Sequence, residues 1–139
     1  MHVEESVEIS ASPARVWDVT LDLARWPEWN PTVTAVEVLD PGPVRVGTRA
    51  RLTQPGNRPA IWTVTRIEDG RLFGWETRAL GMVVTARHDL QPIGSGTRVT
   101  LAIDIAGPMT ALLGWIVVRV SRKFLPQEAA ALTRESERA

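Results

Sequence analysis

One ionisable residue stands out of phase with its surroundings. From Met82 to Leu90 the sequence alternates, so that Met82, Val84, Ala86, His88 and Leu90 share one face of a strand while Thr85, Arg87 and Asp89 take the other. His88 is thereby set among apolar side chains. An imidazole in that position can act as a general acid or base, or hold a ligand carbonyl. It can equally be a core histidine hydrogen-bonded to a neighbour. Thr77 and Thr63, on adjoining strand-like runs, are its candidate partners. The other histidine, His2, is expected at a frayed end, and there is no cysteine. Disulfides, thiolate chemistry and cysteine-ligated metals are therefore excluded, nucleophilic triads lack their parts, and no metal site is expected. Glu76, Arg78, Arg66 and Asp104 fall on outward phases, where cross-strand ion pairs are common and weak, although a bulge would reverse any of them. Gly94-Ser95-Gly96 lacks the spacing of a phosphate-cradling loop and reads as a turn, so no cofactor is expected.

The elements that must position His88 follow from the changes of period. Val3, Val7 and Ile9 alternate with polar residues as a half-buried strand. Ser12 is an N-cap with Pro13 at the first helical position, and Val16, Trp17, Val19 and Leu23 form the buried face of a short helix. Arg15 stands where a capping box would place Glu. Pro27 and Pro31 are expected to stop helix in this segment. Six strand-like runs follow between Val33 and Gly107, separated by turns such as Pro41-Gly42-Pro43 and Asp69-Gly70. Short connections and alternation predict an antiparallel sheet of seven strands with one buried face. Beyond Pro108, Met109, Leu112, Leu113, Ile116, Val117, Val120 and Phe124 recur at helical spacing as the stripe of a long helix, which Pro126 is expected to kink or split.

The chain of 139 residues reads as one domain over residues 1–139. Sixteen basic residues balance sixteen acidic ones, which gives no electrostatic case for nucleic acid. The uncharged run 105–118 is too short to span a bilayer, and the N-terminus lacks the plan of a signal peptide, so a cytoplasmic protein without stable membrane insertion is expected. Arg119, Arg122 and Lys123 follow the apolar run; they suit either an anionic head group at a transient membrane contact or an ordinary solvated helix face. No pattern specifies an oligomeric state.

Two strings, "SPARVWDVTLDLARWPEWNPTV" and "LQPIGSGTRVTLAIDIAG", resemble the START-like (SRPBCC) helix-grip superfamily, and in particular its bacterial polyketide cyclase/dehydrase and lipid-transport branch. The likeness extends over nearly the whole chain. It implies an α+β helix-grip fold: a curved seven-stranded antiparallel sheet wrapped around the long C-terminal helix, with two short helices after strand one. It also implies that Trp17 and Trp29 plug the gap between the short helices and the long one, and that Trp26 lines the mouth of a cavity. Alternation then nominates the lining of that cavity: Phe73, Trp75 and Thr77; Val84, Ala86 and His88; Leu101 and Ile103; and Met109, Leu112, Leu113, Ile116, Val117 and Val120 from the helix. In the strand at 60–68, Trp62 and Val64 compete with Ile61, Thr63, Thr65 and Ile67 for the inner face. Three functions are compatible with this lining. The first is a carrier or sensor of a hydrophobic small molecule, lipid or polyketide-like. The second is a polyketide aromatase/cyclase or dehydratase using His88 for proton transfer. The third is an interaction module with a filled core.

Overall fold

The computed structural model describes residues 1–138. Strand β1 (His2–Ile9) leads through Ser12 into α1 (Pro13–Leu21), a 3-10 turn (Leu23–Arg25) and a single helical turn, α2 (Trp26–Trp29). Then come β2 (Ala35–Val38), β3 (Arg49–Thr53), β4 (Ala60–Glu68), β5 (Leu72–Ala79), β6 (Met82–Ile93), β7 (Gly96–Ala106) and the long helix α3 (Thr110–Glu137). Strands β2 to β7 form a meander, and β1 joins its edge beside β7, so the sheet order is β1-β7-β6-β5-β4-β3-β2 with every pair antiparallel. The sheet curves around α3, which packs on β1, β7 and α1. Among the described residues no helix is long and apolar enough to cross a membrane.

Local chemistry explains the short helices. The Ser12 hydroxyl accepts from the Arg15 backbone N–H at 3.2 Å, and Pro13 occupies the first turn, where its missing N–H is not needed. Pro27 does not stop a helix as expected; it sits in the first turn of α2 for the same reason, and the turn ends at Asn30. The side-chain carbonyl of Asn30 then accepts from both the N–H and the hydroxyl of Thr32, which fixes the exit toward β2.

The ambiguity in β4 is resolved by a bulge. Val64 lies opposite Trp75 but Arg66 lies opposite Gly74, leaving Thr65 as the extra residue. Before it Trp62 and Val64 face the core; after it the phase flips and Ile67 packs inward. At the other edge, His2 is not frayed. It pairs opposite Asp104 as the first residue of β1, with Nδ1 2.6 Å from Asp104 and Nε2 2.8 Å from Glu4. Those two carboxylates, Glu4 foremost, hold the His2 imidazole above its ordinary pKa. Ion pairs such as Arg87 with Asp104 at 3.3 Å and Arg78 with Glu76 at 3.8 Å lie on partly exposed side chains.

Helix α3 runs unbroken from Thr110 to Glu137. Pro126 therefore does not split it: the ring lies on the exposed side, where water can serve the Arg122 carbonyl that loses its helical donor. Its C-terminal half buries Leu125, Ala129 and Leu132 against a core that includes Ile9, Val16, Leu23, Phe73 and Leu90, and buries Phe124 at the cavity. Each fully buried large side chain contributes roughly 1.5–3 kcal/mol. The N-terminal half is less deeply packed, and Leu112, Trp115 and Ile116 face outward.

Candidate functional site

Between the concave sheet and α3 lies a cavity of about 390 Å³, within the size range of small-molecule sites. Its mouth is formed by Gln54, Asn57 and Arg58 from the β3–β4 loop, Leu80 from the β5–β6 turn, and Ile116 on α3. Its walls are largely aromatic. Trp75 stands at the centre, with Trp62 5.4 Å away at 34° and Trp26 5.3 Å away at 66°, ring centre to ring centre. Edge-to-face and offset pairs of this kind add about 0.5–1.5 kcal/mol each beyond burial. The Trp26 indole N–H donates to the Thr20 carbonyl at 3.1 Å, so the ring is tied to the C-terminal end of α1. Trp26 is buried beside His88 rather than at the mouth, which corrects the expected position. Trp17 is buried in the core, and Trp29 packs at its edge on a groove shared with Glu135 of α3.

His88 lies deep in the cavity. Strand register sets it between Phe73 on β5 and Leu101 on β7, and its ring is flanked by Trp26 at 5.7 Å and Phe73 at 5.8 Å. Its Nε2 is 3.3 Å from Oε1 of Glu128, which descends from α3. The two side chains are 5% and 14% exposed. Nδ1 is buried with no partner among the described residues. The threonines expected to serve His88 do not reach it: the Thr77 hydroxyl donates instead to the Ile61 carbonyl at 2.8 Å, and Thr63 lies off the lining. The site thus places an imidazole and a carboxylate side by side in largely apolar surroundings. Ser121 and Thr32 add hydroxyl groups to the lining.

The structure brings Trp62, Trp75, Thr77, Val84 and Ala86 onto the cavity wall together with His88, Leu101 and Ile103. From the helix it brings Ile116, Val117 and Val120. Four residues nominated by periodicity lie elsewhere. Phe73 is fully buried behind Trp75 and His88, because its row of the sheet is sealed by the core. Met109 precedes the helix and packs against Gly81, whose carbonyl accepts from its N–H. Leu112 faces outward and Leu113 is only partly buried, because the stripe is wider than the arc of helix that meets the sheet. Sequence reasoning missed Thr32, Ser121, the mouth residues Gln54, Asn57, Arg58 and Leu80, and, with most consequence, Glu128. Its signal was present: Phe124, Glu128 and Leu132 recur at four-residue spacing, so a carboxylate occupies the apolar stripe one turn beyond Phe124.

The sheet, the long helix in its grip and the cavity between them define a START-like helix-grip protein. The model of the family described as polyketide cyclase/dehydrase and lipid transport matches residues 1–137, and the chain belongs to that family. Solved structures show the same fold at low identity. The START superfamily protein from Mycobacterium smegmatis is 19% identical, with 98% of this chain and 97% of that one covered and a TM-score of 0.78. The ZhuI aromatase/cyclase from Streptomyces sp. R1128 is 19% identical over 99% and 94% of the two chains, with a TM-score of 0.80. A norcoclaurine synthase point mutant from Thalictrum flavum, in complex with a transition-state analogue, is 15% identical over 98% and 93%, with a TM-score of 0.78. No curated protein matches the sequence.

Proposed function

We propose that the cavity binds a flat, largely apolar carbonyl compound of the polyketide type, and that His88 and Glu128 exchange protons with it during cyclisation or dehydration. The observation that carries this reading is the pair itself, 3.3 Å apart and almost enclosed. Two ionisable groups are costly in a largely apolar site, and an imidazole and a carboxylate within reach of one bound molecule are the parts that proton transfer needs. In a dehydration, the basic member of the pair takes the proton from the carbon beside a carbonyl. The acidic member returns one to the departing hydroxyl, so a carbon–carbon double bond forms and water leaves. In an aldol-type cyclisation the same abstraction yields an enolate whose carbon bonds to a second carbonyl carbon, and that oxygen takes the proton. The tryptophan faces support the orientation part of this reading, since folding a flexible chain into a reactive geometry accounts for much of the barrier. The ZhuI aromatase/cyclase, similar in fold, bears a name in keeping with such chemistry.

The test supplies a linear poly-β-ketone thioester and follows products by liquid chromatography and mass spectrometry. The wild-type chain is expected to shift the product distribution away from the protein-free control. His88→Gln and Glu128→Gln should each lower that effect by about 10²-fold, the usual worth of a positioned acid or base. A distribution identical with and without wild-type protein would refute the catalytic reading. A carrier or sensor of a hydrophobic compound is the second reading, supported by the three tryptophans on the wall. It stands if N-phenyl-1-naphthylamine binds in the cavity while no product shift occurs.

A further inference from the structure

The outer face of α3 beside the cavity mouth is unlike the rest of the surface. Leu112, Trp115 and Ile116 are 65%, 56% and 41% exposed, and their three- and four-residue spacing puts them on one side of the helix. Leu80, 72% exposed, stands next to them, because the Met109 N–H donates to the Gly81 carbonyl and so holds the β5–β6 turn against the start of α3. Leu80 and Ile116 also line the cavity, so the apolar patch is continuous with its mouth. Further along the same side come Arg119 and Lys123, with Arg122 adjacent, all exposed. From Ile105 to Gln127 the sequence contains no acidic residue. This run carries three cations and no anion, in a chain whose formal charges sum to zero over its full length.

We propose that this face docks on an anionic membrane surface, with Leu112, Trp115, Ile116 and Leu80 entering the interfacial region and Arg119, Arg122 and Lys123 lying among lipid phosphates. The patch lies on the exposed flank of a helix, and the depression beside it, where Trp115, Arg119 and Arg122 meet Met1 and His2, is shallow and open. The patch suits a soft, fluid surface rather than a shaped protein groove. Tryptophan is at home at the head-group level, and an apolar end followed by cations is the plan of an interfacial helix. The charge is complementary to an anionic leaflet. Docking in this orientation turns the cavity mouth toward the lipid, so an apolar ligand passes between bilayer and cavity without crossing water. The inference stands apart from the acid–base reading, since it uses neither His88 nor Glu128.

Vesicles of equal parts phosphatidylcholine and phosphatidylglycerol test it by flotation, with pure phosphatidylcholine vesicles as comparison. The wild-type chain should float with the anionic vesicles, and added salt should weaken the binding. The variant Arg119→Gln/Arg122→Gln/Lys123→Gln should lose on the order of a hundredfold in affinity, from the known contribution of basic residues near such a surface. Leu112→Ser/Trp115→Ser should lose binding while keeping the wild-type circular dichroism. On the otherwise unaltered chain, bromine-labelled acyl chains should quench tryptophan fluorescence, and Trp115→Phe should reduce that quenching. Equal binding to both vesicle types, or full binding by either multiple variant, would overturn the proposal. So would a solution dimer that Trp115→Ser dissociates, because the face would then be covered by a second copy.

Discussion

If His88 and Glu128 are kept for chemistry, removing both should cost the fold little, and this can be worked through from their geometry. Were both ionised, their attraction at 3.3 Å would be worth about 5 kcal/mol at an effective dielectric constant of about 20. Desolvating two groups this enclosed opposes that by several kcal/mol per ion, so the net contribution of the pair is close to zero. The double variant His88→Leu/Glu128→Met replaces the pair by apolar side chains of similar size. It is expected to be as stable as the wild type or more so, by about 0–2 kcal/mol. Each single change is a different matter. Glu128→Met leaves His88 with Nδ1 already orphaned and Nε2 newly so, and His88→Leu leaves a carboxylate without its partner; each should destabilise by about 1–3 kcal/mol. Urea titrations of the four proteins complete a double-mutant cycle, with midpoint and slope read together. The double variant should recover what the singles lose and have no effect on the poly-β-ketone products. A double variant less stable than both singles would refute the reasoning, for it would show the pair to be a structural brace.

Three further outcomes are expected. Trp75→Ala removes the ring that touches Trp62, Trp26 and Phe73, and should cost about 3–5 kcal/mol in urea titration and abolish binding of N-phenyl-1-naphthylamine. Leu80 holds a left-handed backbone, φ 54°, so Leu80→Asn should stabilise by about 1 kcal/mol, visible as a rise in Tm, while weakening vesicle binding. The His2 pKa is raised by Glu4 and Asp104, so its contribution to stability is fully present below the unfolded histidine value and is lost as pH rises through the higher folded value. The wild-type Tm should therefore fall relative to His2→Gln as the buffer moves from below to above that window, and parallel curves for the two proteins would sink this assignment.

Much of the architecture was legible because period and punctuation are local properties. Alternation with short turns gave seven strands, and the stripe after Pro108 gave a long helix. The family strings carried the arrangement of those elements. Where local rules competed, they were less informative. Pro27 reads as a stop in isolation, yet it begins a helical turn, because both roles follow from the same missing N–H. In β4 two sets of residues had equal claim to the inner face, and a one-residue bulge gave each set part of the strand.

What the sequence determined by itself was the phase of a residue within its element wherever no bulge intervenes: His88 inward on β6, Glu128 in line with Phe124 and Leu132, and Arg119 in line with Leu112 and Ile116. Phase says which way a side chain points, but not what it meets. Forty residues separate His88 from Glu128, and only the packing of α3 across the curved sheet brings their atoms to 3.3 Å. The same packing decided how much of the helical stripe is covered. A helix touching a sheet along one arc buries its central residues, such as Phe124 and Leu132, covers Val117 in part, and leaves Leu112 and Trp115 at the flank to solvent. Burial and pairing between distant elements depend on the path of the whole chain, so no window of sequence contains them.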